Sequence, residues 1–277
     1  MPLKLMYITN SPMVATIAEQ SGVDRIWIDL EHMGKEERQR GMNSVKSNHK
    51  LADVAMLRPY VKNSELMVRV NPLHENSRVE IDEVITSGAD LVMLPMFRTV
   101  DDAFRFVDIV GGRAKVMLLV ETAEAIENLD EIVKVSGIDE IHIGLNDLHL
   151  AYGLNFMFEL VADGTIDKAC EIIRSADIPF GFGGVAKLGE GLLPAEYVLA
   201  EHYRLGSSMV ILSRTFCNTW LSKEEVELKN VFSTGVKKLR DYETMLVQQD
   251  DLYFIKMHKK VQEIVYSISK EIKNKRG

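Results

Sequence analysis

Short apolar runs alternate with amphipathic stretches along the whole chain. The runs at 3–8, 24–30, 65–70, 90–94, 114–120, 140–143, 179–182 and 209–212 are mostly continuous rather than alternating. Such runs predict parallel strands, covered by helices on one face and by a packed barrel interior on the other. Between them, amphipathic patterns predict helices at 12–21, 79–87, 99–110, 121–135 and 194–205. Gly22 and Gly88 stand where two of these should end. Asp101 and Asp102 fall in the first turn of another, where carboxylates meet the positive end of the helix dipole. The phrases SGVDRIWID, SGADLVMLP and SGIDEIHIG share one shape: helix end, glycine, polar residue, strand. The repeating unit is therefore βα, and eight such strands predict a closed (β/α)8 barrel, an α/β fold, over an open doubly wound sheet.

Two regions break the rhythm. A long polar connection, residues 31–49, follows the second strand, and long connections at the C-terminal face of a barrel often cover active sites. The tail adds helices beyond the last strand, so the chain divides into a barrel domain (1–221) and a helical extension (222–277). Ser222 and Glu225 form a capping box opening a helix to about residue 249, and Asp250 and Asp251 open another to about 274. The last helix carries an apolar stripe that includes Phe254, Ile255, Val261, Ile264, Val265 and Ile268. That stripe needs cover, either from its own barrel or from a neighbouring subunit.

Composition narrows the class. The chain has 277 residues, enough for one barrel, and a formal net charge of −8, which disfavours nucleic acid as a partner. Cys170 and Cys217 fit no zinc spacing and read as reduced thiols of a cytoplasmic protein. The N-terminal MPLKLMYIT lacks the apolar region of a signal peptide, and no apolar run approaches the roughly 20 residues that span a bilayer, so no membrane is expected.

In a barrel, residues just past the strand ends carry function. Those positions hold Asp29 and His32 after strand two, Arg69 at the end of strand three, Glu121 after strand five and Asp147 after strand six. Gly183 and Gly184 follow strand seven, and Ser213 and Arg214 follow strand eight. Singly, each has a plainer reading: Glu121 and Asp147 as helix N-caps, His32 as a solvated loop residue, Arg214 as a salt bridge closing the barrel. Together they put carboxylates, a histidine, an arginine and glycines on one rim.

These segments resemble the HpcH/HpaI aldolase and citrate lyase family, of the metal-dependent pyruvate-aldolase type. The resemblance rests on IWIDLEHM at 26–33, MVRVNPL at 67–73, GADLVMLPMFRTVDDAF at 88–104, VETAEAIENLDEIV at 120–133 and SGIDEIHIGLNDLHLAYGL at 136–154. It implies that Glu121 and Asp147 hold a divalent cation, Mg2+ or Mn2+, whose hard character suits oxygen ligands. It implies that Arg69 binds the pyruvate oxygen, that His32 is the catalytic histidine and that Asp29 is its acidic partner. It also implies a homo-oligomer, a hexamer built as a trimer of dimers, assembled through the C-terminal helices. The substrate expected is a small 2-oxo or hydroxy acid, cleaved or formed at a C–C bond. Gly183, Gly184, Ser213 and Arg214 are further substrate-binding candidates, in the barrel region where phosphates are often held. No lysine stands at a strand end, which argues against a Schiff-base aldolase.

Three departures keep alternatives open. Leu119 stands where many of these aldolases carry glutamine, and the arginine- and proline-rich insertion before strand five is missing. Both favour a citrate-lyase-like acyl lyase, although no basic pocket for a CoA-sized thioester is evident. His149 replaces a small residue and is expected to face solvent at a helix start. A third reading, a barrel that binds or assembles without catalysis, is opposed by intact Glu121, Asp147, Arg69 and His32.

Overall fold

The apolar runs close on themselves. A computed structural model describes residues 2–34, 47–213, 216 and 224–276. Eight parallel strands pair in sequence order, and the first also pairs with the last, so the sheet has no edge. They are β1 (Lys4–Ile8), β2 (Arg25–Asp29), β3 (Glu65–Arg69), β4 (Leu91–Leu94), β5 (Lys115–Val120), β6 (Glu140–Ile143), β7 (Phe180–Val185) and β8 (Met209–Leu212). Around them run α1 (Pro12–Gln20), α2 (Leu51–Leu57), α3 (Ser77–Thr86), α4 (Val100–Val110), α5 (Ala123–Glu127), α6 (Leu129–Ile132), α7 (Leu145–Ala151), α8 (Glu159–Ala162), α9 (Thr165–Ser175) and α10 (Ala195–Leu205). Two long helices follow, α11 (Glu225–Leu246) and α12 (Asp251–Arg276). The helix expected over 121–135 is split into α5 and α6 at Asn128, whose Nδ2 donates to the Glu124 and Arg98 carbonyls. The Ser222 half of the expected capping box, and Cys217, lie outside the described residues.

Residue parity along each strand sorts two cores. Outward side chains pack under the helices, while Met6, Trp27, Met67, Leu91, Met93, Met117, Leu119 and Met209 fill the barrel. Below that filling, the N-terminal end of the barrel is closed by charge. Arg25 is fully buried, with Nε on Glu65 (2.6 Å), Nη2 on Glu140 (2.6 Å) and Nη1 also on Glu140. Lys4 pairs with Glu140 and Lys115 with Glu65, so the plug joins three cations and two carboxylates from five strands.

The tail packs on its own chain. On α12, Val261 and Val265 are fully buried against α8 and α10. Gln262 Nε2 donates to the Ala162 carbonyl (2.8 Å), and His258 Nδ1 meets the buried Glu201 carboxylate (3.1 Å). Of the expected stripe, Ile255 remains outward (52% exposed), as do Leu252 and Tyr266. On α11, Glu243 accepts the Leu3 amide (2.7 Å) and Arg240 donates to the Leu3 carbonyl (2.7 Å), clasping the start of β1.

Two buried imidazoles set an acid limit. His142, on β6, donates from Nε2 to the Gly183 carbonyl (3.1 Å), and its pKa is pushed down to about 4 by burial, with the Arg25 charge adding. His202, on α10, stacks flat on Phe182 (4.0 Å) and is pushed down to about 3, again by burial and then by His142. Both pKa values lie below the unfolded value of about 6.5, so unfolding takes up protons as pH falls below it. Their stabilisation is complete above about pH 6.5 and is lost toward pH 4, at up to about 1.4 kcal/mol per pH unit for each histidine. Urea midpoints should therefore fall between pH 6.5 and 5. The His202→Phe variant, which keeps a ring on Phe182 but cannot charge, should show a shallower fall by up to one proton. An identical slope in wild type and variant would contradict this.

Candidate active site

The C-terminal ends of β2 and β3 bring the first pair together. Asp29 and Arg69 are register partners at the last positions of their strands. The Asp29 carboxylate accepts from Arg69 Nε and Nη2, both at 2.8 Å, a two-pronged contact that fixes the guanidinium plane. Glu31 adds a contact to Nη2 at 3.3 Å, and the guanidinium carbon lies 5.1 Å from the Trp27 ring centroid beneath it. These contacts use Nε and Nη2 and leave Nη1 outside the clamp. Burial lowers the Arg69 pKa, but the Asp29 and Glu31 charges more than offset this, so the guanidinium stays protonated.

Beyond β2 the chain turns back across β3. The amides of His32 and Met33 donate to Asn71 Oδ1 (2.9 and 3.1 Å), and Asn71 is itself held by Glu80. The His32 side chain is exposed on the rim, and its Nε2 meets the His49 carbonyl at 3.2 Å. His49 is buried, and its Nδ1 accepts the Asp29 amide at 3.0 Å. The Asp29 carboxylate thus engages Arg69, and the group found on the His32 ring is a main-chain carbonyl.

Glu121 follows β5 without capping the next helix. That role falls to Thr122, whose Oγ1 accepts the Ala125 amide (3.1 Å). Glu121 is instead buried, with Oε1 accepting the Met96 amide at 3.2 Å. Met96 holds a left-handed backbone (φ 53°), a strained conformation for a residue with a side chain and one that recurs at functional sites. Gly144, at the end of β6, makes room: a Cβ there would sit 2.7 Å from Glu121 Oε2 and 2.8 Å from its Cβ. Burial, then the neighbouring Asp147 and Glu31 charges, push the Glu121 carboxyl up to about 8, against the pull of Arg69. Asp147 is in the first turn of α7, where Gly144 holds the cap position.

The remaining candidates line the β7–β8 side of the same rim. Gly183 (φ 53°) leaves no room for a side chain, since a Cβ would lie 2.7 Å from Leu145 Cδ1. Gly183 and Gly184 fall in an irregularity of the β7–β8 register, and the Ser213 amide, just past β8, donates to the Val185 carbonyl (2.8 Å). Arg214 lies outside the described residues. His149 does not face solvent as expected: it is buried, with Nδ1 on the Leu145 carbonyl (3.2 Å), because α7 packs inward against β7 and α8. Sequence reasoning missed Glu31, His49, Met96 and Gly144. Glu31 and Gly144 lie inside the family-like segments, beside His32 and three residues before Asp147.

The structure thus gathers Asp29, Glu31, Arg69, Glu121 and Asp147 into one electrostatic unit with more carboxylates than cations. Among the described residues, no group of three or more His, Cys, Asp or Glu side chains is arranged to hold a metal. Any ion on this rim would take two protein carboxylates and fill its other positions with water and substrate, as Mg2+ and Mn2+ sites commonly do. A buried Glu121 carboxylate whose charge is disfavoured by burial and by the half-buried Asp147 beside it suits such an ion.

Fold and relatives together mark a (β/α)8 carbon–carbon lyase. The chain belongs to the HpcH/HpaI aldolase/citrate lyase family, whose sequence profile matches residues 4–159. Among curated relatives, a 2-keto-3-deoxy-L-rhamnonate aldolase of Shigella dysenteriae is 30% identical over 210 residues, covering 64% of this chain and 73% of the relative. One of the same name from Escherichia coli O17:K52:H18 is 31% identical over 176 residues, covering 52% and 60%. Solved structures share the fold. A family member from Burkholderia cenocepacia superposes with TM-score 0.62 at 17% identity, covering 76% of this chain and 88% of that one. The citrate synthase SbnG superposes with TM-score 0.60 at 17% identity, covering 80% and 91%.

Proposed function

We propose that this lyase is a divalent-metal-dependent aldolase that cleaves or forms the C–C bond next to a 2-oxo acid, with a pyruvate-type enolate as the nucleophile. The observation that carries the reading is the clamped Arg69 guanidinium beside the buried Glu121 carboxylate and the half-buried Asp147. Glu121 and Asp147 would hold Mg2+ or Mn2+. When bound, the ion supplies Lewis-acid stabilisation of negative charge on the 2-oxo acid. Arg69 offers its unclamped Nη1 to the enolate oxygen. His32 takes the proton from the hydroxyl at the bond being broken. The C–C electron pair then passes into the 2-oxo acid fragment as its enolate, and return of a proton to that carbon releases the free acid. Gly183, Gly184 and Ser213, with Arg214, would border the remainder of the substrate.

The test is a metal-stripped chain reloaded with Mg2+ or Mn2+ and assayed for pyruvate release from a panel of 4-hydroxy-2-oxo acids, 2-keto-3-deoxy sugar acids included. Release from at least one, lost on chelation, is expected. Cleavage of an acyl thioester with no pyruvate would favour the acyl-lyase reading, which Leu119 supports by placing apolar surface beside Glu121. No turnover of either kind would leave a binding barrel. Gly144→Ala should push Glu121 aside and weaken Mn2+ affinity about tenfold or more, while the fold persists. Unchanged affinity would remove Glu121 from the metal site.

The same reading expects a homo-oligomer, a hexamer or trimer of dimers. Because its own barrel covers Val261 and Val265, the outward Leu252, Ile255 and Tyr266 of α12 are the face left for a neighbour. A monomer-sized species at micromolar concentration would defeat this. Among the described residues no helix is long and apolar enough to cross a membrane.

A further inference from the structure

We propose that His49 is the positioning residue of this active site, setting both the tautomer of His32 and the placement of Asp29. The inference rests on the reading of His32 as the base. Its starting point is that one buried residue touches both groups through different atoms. The His49 carbonyl lies 3.2 Å from His32 Nε2, and the His49 Nδ1 lies 3.0 Å from the Asp29 amide nitrogen.

Donor and acceptor identities then fix the protons. A carbonyl can only accept, so His32 Nε2 carries the hydrogen, and the neutral ring keeps its lone pair on Nδ1. The basic atom of His32 is therefore Nδ1. A backbone amide can only donate, so His49 Nδ1 is unprotonated and its ring hydrogen is on Nε2. The Asp29 oxygens are turned to the Arg69 fork, whereas the contact on the His32 ring is the His49 carbonyl.

His49 is itself well anchored. The Lys50 amide donates to Asp53 Oδ2 (2.9 Å), and Asn10 Nδ2 donates to the same oxygen (2.9 Å), which ties the following turn to α2 and to the end of β1. On the other side, the His32 amide is tied to Asn71. His32 is thus held by its backbone from β3 and by its ring from residue 49. Removing the His49 ring frees residue 49 from the end of β2 and lets its carbonyl drift from His32, while the fold around Glu121 and Asp147 is untouched.

The test uses the metal-loaded full chain and two readouts: retro-aldol kcat, and deuterium exchange at the pyruvate methyl group, which needs the base and enolate stabilisation but no C–C cleavage. Asparagine can place Oδ1 where Nδ1 now accepts, whereas glutamine reaches past that point and leucine offers no acceptor. His49→Asn should keep both rates within about threefold, and His49→Gln and His49→Leu should lose about 10- to 100-fold in both. Mn2+ affinity should be unchanged in all three. Wild-type exchange in His49→Gln, or equal losses in His49→Asn and His49→Leu, would overturn the role. So would nitrogen-15 histidine spectra of the wild type showing His32 as the Nδ1–H tautomer, a result independent of how any variant folds. A wild-type chain without exchange would sink the aldolase reading itself, which separates the two failures.

Discussion

Replacing Arg69 with methionine will lower kcat for C–C cleavage by about 10²–10³-fold, the usual cost of removing a fixed donor at a developing oxyanion. The expectation follows from how completely the side chain is pre-oriented. Asp29 holds two of its nitrogens at 2.8 Å, Glu31 touches one of them, and Trp27 floors the group. None of these has to rearrange as charge builds on the substrate. Arg69→Lys should do almost as badly, because an ammonium cannot fill the Asp29 fork and also present a donor to substrate. Methionine also leaves Asp29 and Glu31 buried without their cation, so a drop in thermal stability should accompany the rate loss. Steady-state kinetics on the metal-loaded variants, with melting curves beside them, measure both. Turnover within a few-fold of wild type in Arg69→Met would remove the residue from the reaction.

The second large effect belongs to the opposite end of the barrel and to stability alone. Arg25→Met should destabilise the fold by about 3–5 kcal/mol, since it leaves the buried Glu140 with the partly exposed Lys4 as its remaining cation. Methionine matches the neighbouring filling of Met6, Met67 and Met209, so the loss isolates charge rather than volume. Arg25→Met/Glu140→Leu should recover part of it, because replacing both buried partners by apolar groups is far less costly than orphaning one. Urea denaturation at constant m-value is the measurement. A loss under about 1 kcal/mol for Arg25→Met would show that water reaches the plug and relieves Glu140.

Much of this architecture is legible in the sequence. Each apolar run became a strand with its ends displaced by at most a few residues, because parallel strands buried on both faces carry a strong signal. The rim followed from strand ends: Asp29, Arg69, Glu121 and Asp147 stand where a barrel puts its chemistry. What escaped depends on long-range placement. His49 is one histidine in a polar connection, and nothing periodic marks that it returns to β2. Met96 was invisible because a left-handed backbone at a residue other than glycine leaves no compositional trace. The floor plug did leave one. Arg25, Glu65, Lys115 and Glu140 each begin a strand and share parity with the barrel filling, but runs read as continuously apolar hid that alternation. The solvent-facing expectation for His149 failed because α7 turns back against β7, a packing choice that sequence at a helix start does not encode.

The clasp between α11 and the start of β1 has a consequence for how the chain is made. The Leu3 amide finds its acceptor in Glu243, 240 residues later. At ordinary translation speeds of about 5–20 residues per second, those partners are synthesised roughly 10–50 s apart. The earliest strand therefore leaves the ribosome long before either β8 or α11 exists to cover it. A nascent chain of this kind spends most of its synthesis with an open sheet edge, the state in which parallel sheets are most exposed to wrong pairing. Its dependence on chaperones should accordingly be set by elongation rate, and slowing translation should raise the share of product lost to aggregation.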